Sequence, residues 1–200
     1  MIKKQIRAIV FDLGGVVVHG GYLDFLKHFC TTCMTPEGKK QVARLERQAN
    51  LGNLTEREFL RKLRWIFGLH LSVSRMHDLI VDHMQTDKRL AHLIPKLKKT
   101  RIALFSNSIG NMAVEVLHKR HLNSHRLFGR VFISSRLHLV KPDQKAYHYI
   151  LRALKVKPRE ALMVDDRLVN IQGARKAGME GIVYKNSAQF RRAIRKYEFV

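Results

Sequence analysis

The sequence predicts an α/β fold in which a parallel sheet is interrupted, after its first strand, by a small all-helical segment. From about residue 90 onward, short apolar runs alternate with amphipathic stretches of helical period, which is the pattern of βαβ units and a parallel sheet. Between residues 20 and 90 the apolar residues recur with helical spacing. We therefore predict a core formed by residues 1–19 and 91–200, and a helical insertion formed by residues 20–90.

The first predicted strand is the apolar run that ends at Asp12. Ile6 and residues 8–11 are all apolar, as in a strand that is buried on both faces. The run is too short for the core of a signal peptide, so we interpret it as a strand. Gly14 and Gly15 follow and allow the backbone to approach a ligand closely. Because ligands bind beyond the carboxyl ends of parallel strands, Asp12 is the candidate nucleophile.

The insertion contains clear helix signals. Thr55 is followed three residues later by Glu58, which is the capping box that begins a helix, and a further amphipathic helix is predicted near residues 74–84. The two cysteines, Cys30 and Cys33, are one helical turn apart. A thioredoxin-like redox motif would need a neighbouring βαβ unit, and a zinc site needs four ligands. We therefore predict two cysteines of a helix that act as small hydrophobic residues.

The remaining elements alternate along the core. After a helix over residues 90–100 that is kinked near Pro95, we predict strands and helices at residues 102–105, 113–120, 131–134, 144–154, 161–164, 169–177 and 181–184, and a closing helix from Ala188. No apolar run reaches the length of a membrane span. We therefore expect a cytoplasmic protein without a membrane partner; the sequence predicts no oligomeric state.

The charge is strongly positive and unevenly distributed. The chain has 38 Lys and Arg against 16 Asp and Glu, a net charge of +22. Residues 91–200 alone hold 23 basic and seven acidic residues, a net charge of +16. Such a field attracts anions, from small phosphorylated substrates to nucleic acid. No nucleic-acid-binding motif accompanies the charge, which favours the small substrates and leaves a nucleic-acid partner open.

Four polar signals follow predicted strands or begin predicted helices, and all would meet at one edge of the sheet. They are Asp12, Ser106-Asn107, Lys141 before Pro142, and Asp165-Asp166. Phosphoryl transfer needs a nucleophile, a positive charge and donors that orient the phosphate oxygens. The four signals together supply each of these groups.

Each signal has a specific part in such chemistry. Asp12 can attack phosphorus in line, and Ser106, with the amides of the following turn, can hold a phosphate oxygen. Lys141 supplies a compact positive charge beside the phosphate and Asp12. Asp165 and Asp166 supply carboxylates for Mg²⁺, which prefers oxygen ligands.

The stretches FDLGGV, LFSNS, VKPD and MVDDRLVNIQGARKAG resemble, in the right order, the four motifs of the haloacid dehalogenase-like (HAD) hydrolase superfamily. In the insertion, ANLGNLTEREFLRKL resembles the cap of the subgroup that holds α-D-glucose-1-phosphate phosphatase and the phosphatase domain of soluble epoxide hydrolase. The resemblance implies a Rossmann-like core with a helical cap. It also implies a Mg²⁺-dependent phosphomonoester hydrolase that acts on a small phosphorylated metabolite, such as a sugar phosphate, through an aspartyl-phosphate on Asp12.

The resemblance also assigns residues to roles. The Mg²⁺ ligands would be Asp12, the Gly14 carbonyl, Asp166 and, through water, Asp165. The groups around the phosphate would be Ser106, Asn107 and Lys141, with Asn170 in support. Lys141 would act in catalysis together with Asp12.

One position departs from the superfamily pattern. Many members have a second aspartate, two residues after the nucleophile, that acts as general acid and base, whereas this chain has Gly14. General acid–base catalysis contributes roughly 10²- to 10⁴-fold in rate. Either the substrate has a good leaving group, as sugar 1-phosphates do, or another residue substitutes. His19 is a candidate because histidine titrates near neutral pH, and the alternative is that it simply lies at the hinge of the insertion.

Other functions are compatible with parts of the pattern. A non-catalytic or weakly active HAD-like protein would bind phosphate or nucleic acid through its basic surface. A 2-haloacid dehalogenase would share the fold and the Asp12 nucleophile, but it needs no Mg²⁺, and the pair Asp165-Asp166 argues against it. A phospho-receiver domain places its acidic pair after the first strand, whereas here the pair comes last.

Overall fold

The computed structural model describes residues 4–97, 99–122 and 127–200. The strands are β1 (Lys4–Ile6), β2 (Ala8–Phe11), β3 (Val18–His19), β4 (Gln85–Thr86), β5 (Arg101–Ser106), β6 (Arg130–Ile133), β7 (Ala161–Asp165), β8 (Glu180–Val183) and β9 (Tyr197–Phe199). The helices are α1 (Tyr22–Phe29), α2 (Pro36–Asn50), α3 (Glu56–Ile66), α4 (Val73–His83), α5 (Lys88–Leu93), α6 (Met112–Lys119), α7 (Ser134–Leu137), α8 (Gln144–Leu154), α9 (Leu168–Lys176) and α10 (Ser187–Ala193).

A five-stranded parallel sheet forms the centre of the fold. Its strand order is β6-β5-β2-β7-β8, the doubly wound order in which the first core strand lies in the middle. All residues of β2 and β7 are buried, as the continuous apolar runs predict. Apolar clusters cover both faces of the sheet. The predicted α/β class is confirmed, and the carboxyl ends of β2, β5 and β7 meet at one edge.

The helices α1–α4 lie between two short strands that pair with each other. Strands β3 and β4 are antiparallel, with Val18 opposite Thr86, so the chain leaves and re-enters the core at one place. The predicted capping box is present at α3: the Glu58 amide donates to Thr55 Oγ1 and the Thr55 amide donates to Glu58 Oε2. The segment 20–90 is thus helical except for β4, which is too short to show a strand pattern. Its boundaries as a separate cap stay a prediction.

The prediction for the two cysteines is wrong. Cys30 and Cys33 form a disulfide and are not two residues of one helix. The two residues do not belong to one helix, because α1 ends at Phe29 and a separate 3₁₀ turn begins at Thr32. Their Cα atoms are 5.2 Å apart, close to the separation of residues i and i+3 in a regular helix. Both residues are still buried in the apolar core, as expected of small hydrophobic residues.

Two further differences occur at element ends. The helix predicted over residues 90–100 ends at Leu93 and continues as a 3₁₀ turn, because Pro95 lacks the amide hydrogen that a helix needs. After α10, β9 pairs in parallel with β1. Lys98 of the predicted helix and residues 1–3 and 123–126 of the predicted core lie outside the described residues. None of the described helices has both the length and the apolar character needed to cross a membrane.

Candidate active site

Three carboxylates converge at the carboxyl edge of the sheet. Phe11 of β2 is opposite Val164 of β7, so the next residues along each strand, Asp12 and Asp165, are also neighbours. Oxygen atoms of Asp12, Asp165 and Asp166 lie within 4.8 Å of one another. A cluster of carboxylate oxygens is the donor set that Mg²⁺ prefers, so these residues fit the ion that the sequence predicts.

Lys141 lies buried between two of these carboxylates. Its Nζ is 2.8 Å from Asp12 Oδ1 and 2.7 Å from Asp165 Oδ2. The backbone of Lys141 is held by Asn107 at the end of β5, whose side chain accepts from the Lys141 amide and donates to its carbonyl, both at 2.9 Å. Asn107 therefore positions the lysine through both ends of its amide group. Its predicted contact with phosphate stays a prediction.

Asp165 is fixed by a second set of donors. The Asn170 side-chain amide donates to both Asp165 oxygens at 3.0 and 3.1 Å, and the Arg167 backbone amide donates to Oδ1 at 2.9 Å. Asn170 is positioned in turn by Tyr147, whose hydroxyl donates to its carbonyl at 2.6 Å. These hydrogen bonds hold the Asp165 carboxylate in one orientation.

The electrostatics of the three buried groups are unequal. Burial raises the pKa of Asp12 to about 7, because Lys141 opposes this effect only in part and the negative charge of Asp165 adds to it. Burial also acts to raise the pKa of Asp165. The charge of Lys141 and the hydrogen bonds that the carboxylate accepts outweigh burial, so the pKa of Asp165 is lowered. The pKa of Lys141 is raised despite burial, since both carboxylates favour its charged form. Asp12 is therefore the less neutralised carboxylate, and an added cation would favour its ionised form.

The glycine turn after Asp12 is shaped around Asp166. Gly15 has φ +72°, and a Cβ built there would lie 2.2 Å from Asp166 Oδ2. Burial and the charge of Asp165 raise the pKa of Asp166, as expected for a carboxylate beside another one. A Cβ at Gly14 would meet no atom within 4 Å. The missing second aspartate of the superfamily pattern thus leaves open space at this position.

A cavity of about 310 Å³ lies above these groups. Ser106, at the end of β5, is buried and lines it, as does His19 of β3. His19 is half exposed, and its Nε2 lies 3.5 Å from Asp87 Oδ2. The predicted residues that line this one cavity are Asp12, Gly14, His19, Ser106, Asn107, Lys141, Asp166 and Asn170. Asp165 lies beneath them, fully buried.

Sequence reasoning missed several groups at this site. Tyr147 holds Asn170 from α8, but an aromatic residue in an amphipathic helix gives no signal beyond that of the apolar core. Tyr22, Glu46 and Asn50, from α1 and α2, line the cavity opposite the carboxylates. The Tyr22 hydroxyl is buried, and burial together with the nearby Glu46 carboxylate raises its pKa. Only the packing of the insertion against the core reveals these residues.

Several curated proteins are similar to parts of this chain. Drimenol cyclase from Aspergillus calidoustus is 24% identical over 95% of the chain, which spans only 36% of that protein's length. Glyceraldehyde 3-phosphate phosphatase from Methanopyrus kandleri is 44% identical over 29% of the chain and 25% of its own length. Bifunctional epoxide hydrolase 2 from Mus musculus is 35% identical over 32% of the chain and 11% of its own length. The chain thus spans about a third or less of each of these relatives.

Solved structures match the whole fold. A HAD family enzyme from Bacteroides thetaiotaomicron superposes with a TM-score of 0.81 at 18% identity, covering 96% of this chain and all of the other. The same enzyme in complex with magnesium and inorganic phosphate gives a TM-score of 0.74 at 20% identity, covering 90% and 95% of the two chains. The family model for haloacid dehalogenase-like hydrolases matches residues 6–178. The protein therefore belongs to the haloacid dehalogenase-like hydrolase family.

Proposed function

We propose that the protein is a Mg²⁺-dependent phosphomonoester hydrolase that acts on a small phosphorylated metabolite through Asp12. The observation that carries this proposal is the shared pocket of Asp12, Lys141 and the acidic pair, with Lys141 Nζ 2.8 Å from Asp12 and oxygens of the three aspartates within 4.8 Å. A similar HAD enzyme has been solved with magnesium and phosphate, and one relative is a glyceraldehyde 3-phosphate phosphatase. Both support the phosphatase over other hydrolase chemistries.

The residues have complementary parts in this reaction. In the first step a carboxylate oxygen of Asp12 forms a bond to phosphorus while the bond from phosphorus to the leaving oxygen breaks. Water then cleaves the aspartyl-phosphate and releases phosphate. Lys141 and Ser106 would hold the phosphate oxygens, and Asn107 would keep the lysine in place through its backbone. Mg²⁺, held by Asp12, the Gly14 carbonyl and Asp166, with Asp165 behind them, would supply positive charge for the phosphate oxygens.

The leaving oxygen needs a proton, and Gly14 has no side chain to give one. We propose two routes that the cavity permits: a substrate whose leaving group requires little protonation, or a proton from His19. His19 lines the cavity, and its Nε2 lies 3.5 Å from Asp87 Oδ2. These routes differ in how strongly the rate depends on the leaving group.

The insertion would select the substrate. We propose that residues 20–90 act as a cap, since Tyr22, Glu46 and Asn50 line the same cavity as Asp12. A volume of about 310 Å³ is at the small end of the range for ligand pockets, which suits a metabolite of a few carbon atoms and its phosphate. The polar groups on the cap side suit a hydroxylated substrate such as a sugar phosphate.

Phosphate release from a panel of phosphomonoesters tests the proposal. The panel contains sugar 1-phosphates, sugar 6-phosphates, glyceraldehyde 3-phosphate and an aryl phosphate, each with Mg²⁺ or with EDTA. We expect release that requires Mg²⁺, and a mass increase of one phosphoryl group on the peptide that contains Asp12 after rapid acid quench. Asp12→Asn should lower turnover by roughly 10⁴-fold or more, because it removes the nucleophile but keeps its shape.

Asp78→Asn is the matched control, since Asp78 is an exposed residue of α4 and the variant should keep full activity. Absence of Mg²⁺-dependent release across the panel, or full activity in Asp12→Asn, would refute the proposal. Metal-independent chloride release from a 2-haloacid would instead support the dehalogenase alternative.

A further inference from the structure

A basic groove lies at the amino edge of the sheet, opposite the candidate active site. Arg7 directly precedes β2, and Glu160 directly precedes β7, so both lie at the ends of these strands remote from Asp12 and Asp165. The groove has a volume of about 610 Å³. Its charged lining residues are Arg7, Arg152, Lys155, Lys157 and Glu160. Four cations thus face one carboxylate, and that carboxylate is 3.8 Å from Arg7.

The groove is continuous with a row of basic residues along α8. Lys145, His148, Arg152 and Lys155 are exposed and recur at helical spacing, so they share one face. No Asp or Glu occurs between Gln144 and Leu154. The row is about 15 Å long, which is the axial rise of about four base pairs of a duplex.

These cations are available to a ligand from outside the protein. In the described part of the chain, no carboxylate is within ion-pair distance of Arg152, Lys155 or Lys157. Unlike Lys141, none of the three forms an ion pair with a described carboxylate, although Glu160 lines the same groove. A cluster of cations without ion-pair partners repels itself and is stabilised by a ligand that carries several negative charges.

The shape favours a polymer over a bilayer or a single phosphate. A membrane surface is flat and is usually bound with inserted apolar side chains. The groove is concave, and Tyr149 is the one large exposed apolar residue on α8 among the described residues. A small phosphorylated molecule would be enclosed by buried donors, but the cations of this groove are exposed. A chain of phosphates fits both the concavity and the row.

We propose that the groove and the exposed face of α8 bind the sugar–phosphate backbone of nucleic acid. Binding would depend on charge and not on base sequence, since phosphate contacts position a protein without reading sequence. The surface would act independently of phosphate release at the other edge of the sheet. Binding of nucleic acid would also account for part of the net charge of +22, which the candidate active site does not require.

Fluorescence anisotropy with a labelled duplex of about 20 base pairs, measured at several salt concentrations, tests the proposal. The groove variant combines Arg152→Gln, Lys155→Gln and Lys157→Gln. We expect it to bind at least roughly tenfold more weakly and to reduce the slope of log Kobs against log salt by about 0.9 for each lost phosphate contact. Turnover of the best phosphomonoester should be unchanged, which shows that the variant is folded.

The matched control combines Lys39→Gln, Arg44→Gln and Lys62→Gln, which remove the same charge from exposed positions of α2 and α3. It should weaken binding less than about twofold, because it lowers only the long-range field. Equal losses in the two variants, or no binding by the wild-type protein at low salt, would overturn the proposal. Tighter binding to phosphatidylserine vesicles than to the duplex would also overturn it, in favour of a membrane surface.

Discussion

The two edges of the sheet use basic residues in opposite ways. At the carboxyl edge Lys141 is almost fully buried, and two carboxylates contact its ammonium group. At the amino edge Lys155 and Lys157 are exposed, and no carboxylate of the described residues lies within ion-pair distance of them. A buried charge in fixed geometry can orient reacting atoms, whereas an exposed one mainly attracts ligands from solution. The basic residues that make up the net charge therefore serve two different purposes at the two edges.

The difference has an energetic side. Removing one partner of a buried charge cluster leaves the other charges uncompensated in a medium that solvates them poorly. Removing an exposed charge leaves its surroundings in water. Substitutions of the same kind at the two edges should consequently differ greatly in effect.

The largest expected contrast is between Lys141→Met and Lys155→Met. At pH 8, where Asp12 and Asp165 are both ionised in the unfolded chain, Lys141→Met should lower the free energy of unfolding by roughly 3 to 5 kcal/mol, because the two carboxylates lose their shared cation. It should also lower kcat by roughly 10²-fold or more. Lys155→Met should change stability by less than about 0.5 kcal/mol and leave kcat unchanged. Urea denaturation and phosphate release measure both quantities.

A milder loss of stability in Lys141→Met at lower pH is consistent with this account, since the raised pKa of Asp12 lets that carboxyl take up a proton. Equal effects of the two substitutions at pH 8 would contradict the distinction between the edges.

Most of the candidate site could be predicted because its residues follow a single geometric rule. Asp12, Ser106 and Asp165 lie at the carboxyl ends of apolar runs, and adjacent parallel strands bring such positions together whatever the rest of the fold does. Lys141 could be found from its motif, although its burial between two carboxylates could not. Tyr147 could not be found, because its contact with the Asn170 carbonyl depends on how α8 packs against α9.

Prediction of the fold from sequence is limited in the same way. The central strands are long apolar runs, so the sequence predicts them closely, whereas β4 and β9 have two and three residues and too few positions for any period. Cys30 and Cys33 have the spacing of a helical turn. They do not lie in one helix, because α1 ends at Phe29, and composition contains no information about where that helix ends.

An intermediate effect on Mg²⁺ affinity is expected from substituting a glycine without space for a side chain at the carboxyl edge, compared with a glycine that has such space at the amino edge. Gly15→Ala requires a side chain at φ +72° and pushes against Asp166, whereas a Cβ at Gly129 of the amino edge would lie an ordinary 3.6 Å from the Ile102 carbonyl. Gly15→Ala should weaken Mg²⁺ binding by roughly 10- to 100-fold, as displaced supporting groups do. Isothermal titration with Mg²⁺ measures this directly, without reference to turnover.

Two controls accompany this prediction. Gly129→Ala should leave Mg²⁺ affinity unchanged, and Gly14→Ala tests whether the turn tolerates a methyl group where the space is open. Loss of affinity in Gly14→Ala equal to that in Gly15→Ala would show that the turn is sensitive for another reason than contact with Asp166.

The smallest contrast concerns two tyrosine–carboxylate pairs at opposite ends of β8. At the carboxyl edge the Tyr184 hydroxyl donates to Asp87 at 2.6 Å, and at the amino edge Tyr197 donates to Glu180 at 3.1 Å. Burial alone would raise the pKa of both carboxyls, but these hydrogen bonds and, for Glu180, also Lys4 lower them. A carboxyl whose pKa is lowered by folding stabilises the protein above its unfolded pKa of about 4, and this contribution is lost as the pH falls through the folded pKa.

Tyr184→Phe should therefore lower the free energy of unfolding by about 1 kcal/mol at pH 7, and the difference from wild type should shrink as the pH falls below about 4. Tyr197→Phe should have a smaller effect, because its hydrogen bond is longer and Lys4 still contacts Glu180. Urea denaturation of both variants at pH 7 and at about pH 3 compares them. If the Tyr184→Phe difference were independent of pH, the hydroxyl would contribute through packing alone, and Asp87 would owe its order to the Leu90 amide and to the His19 contact and not to Tyr184.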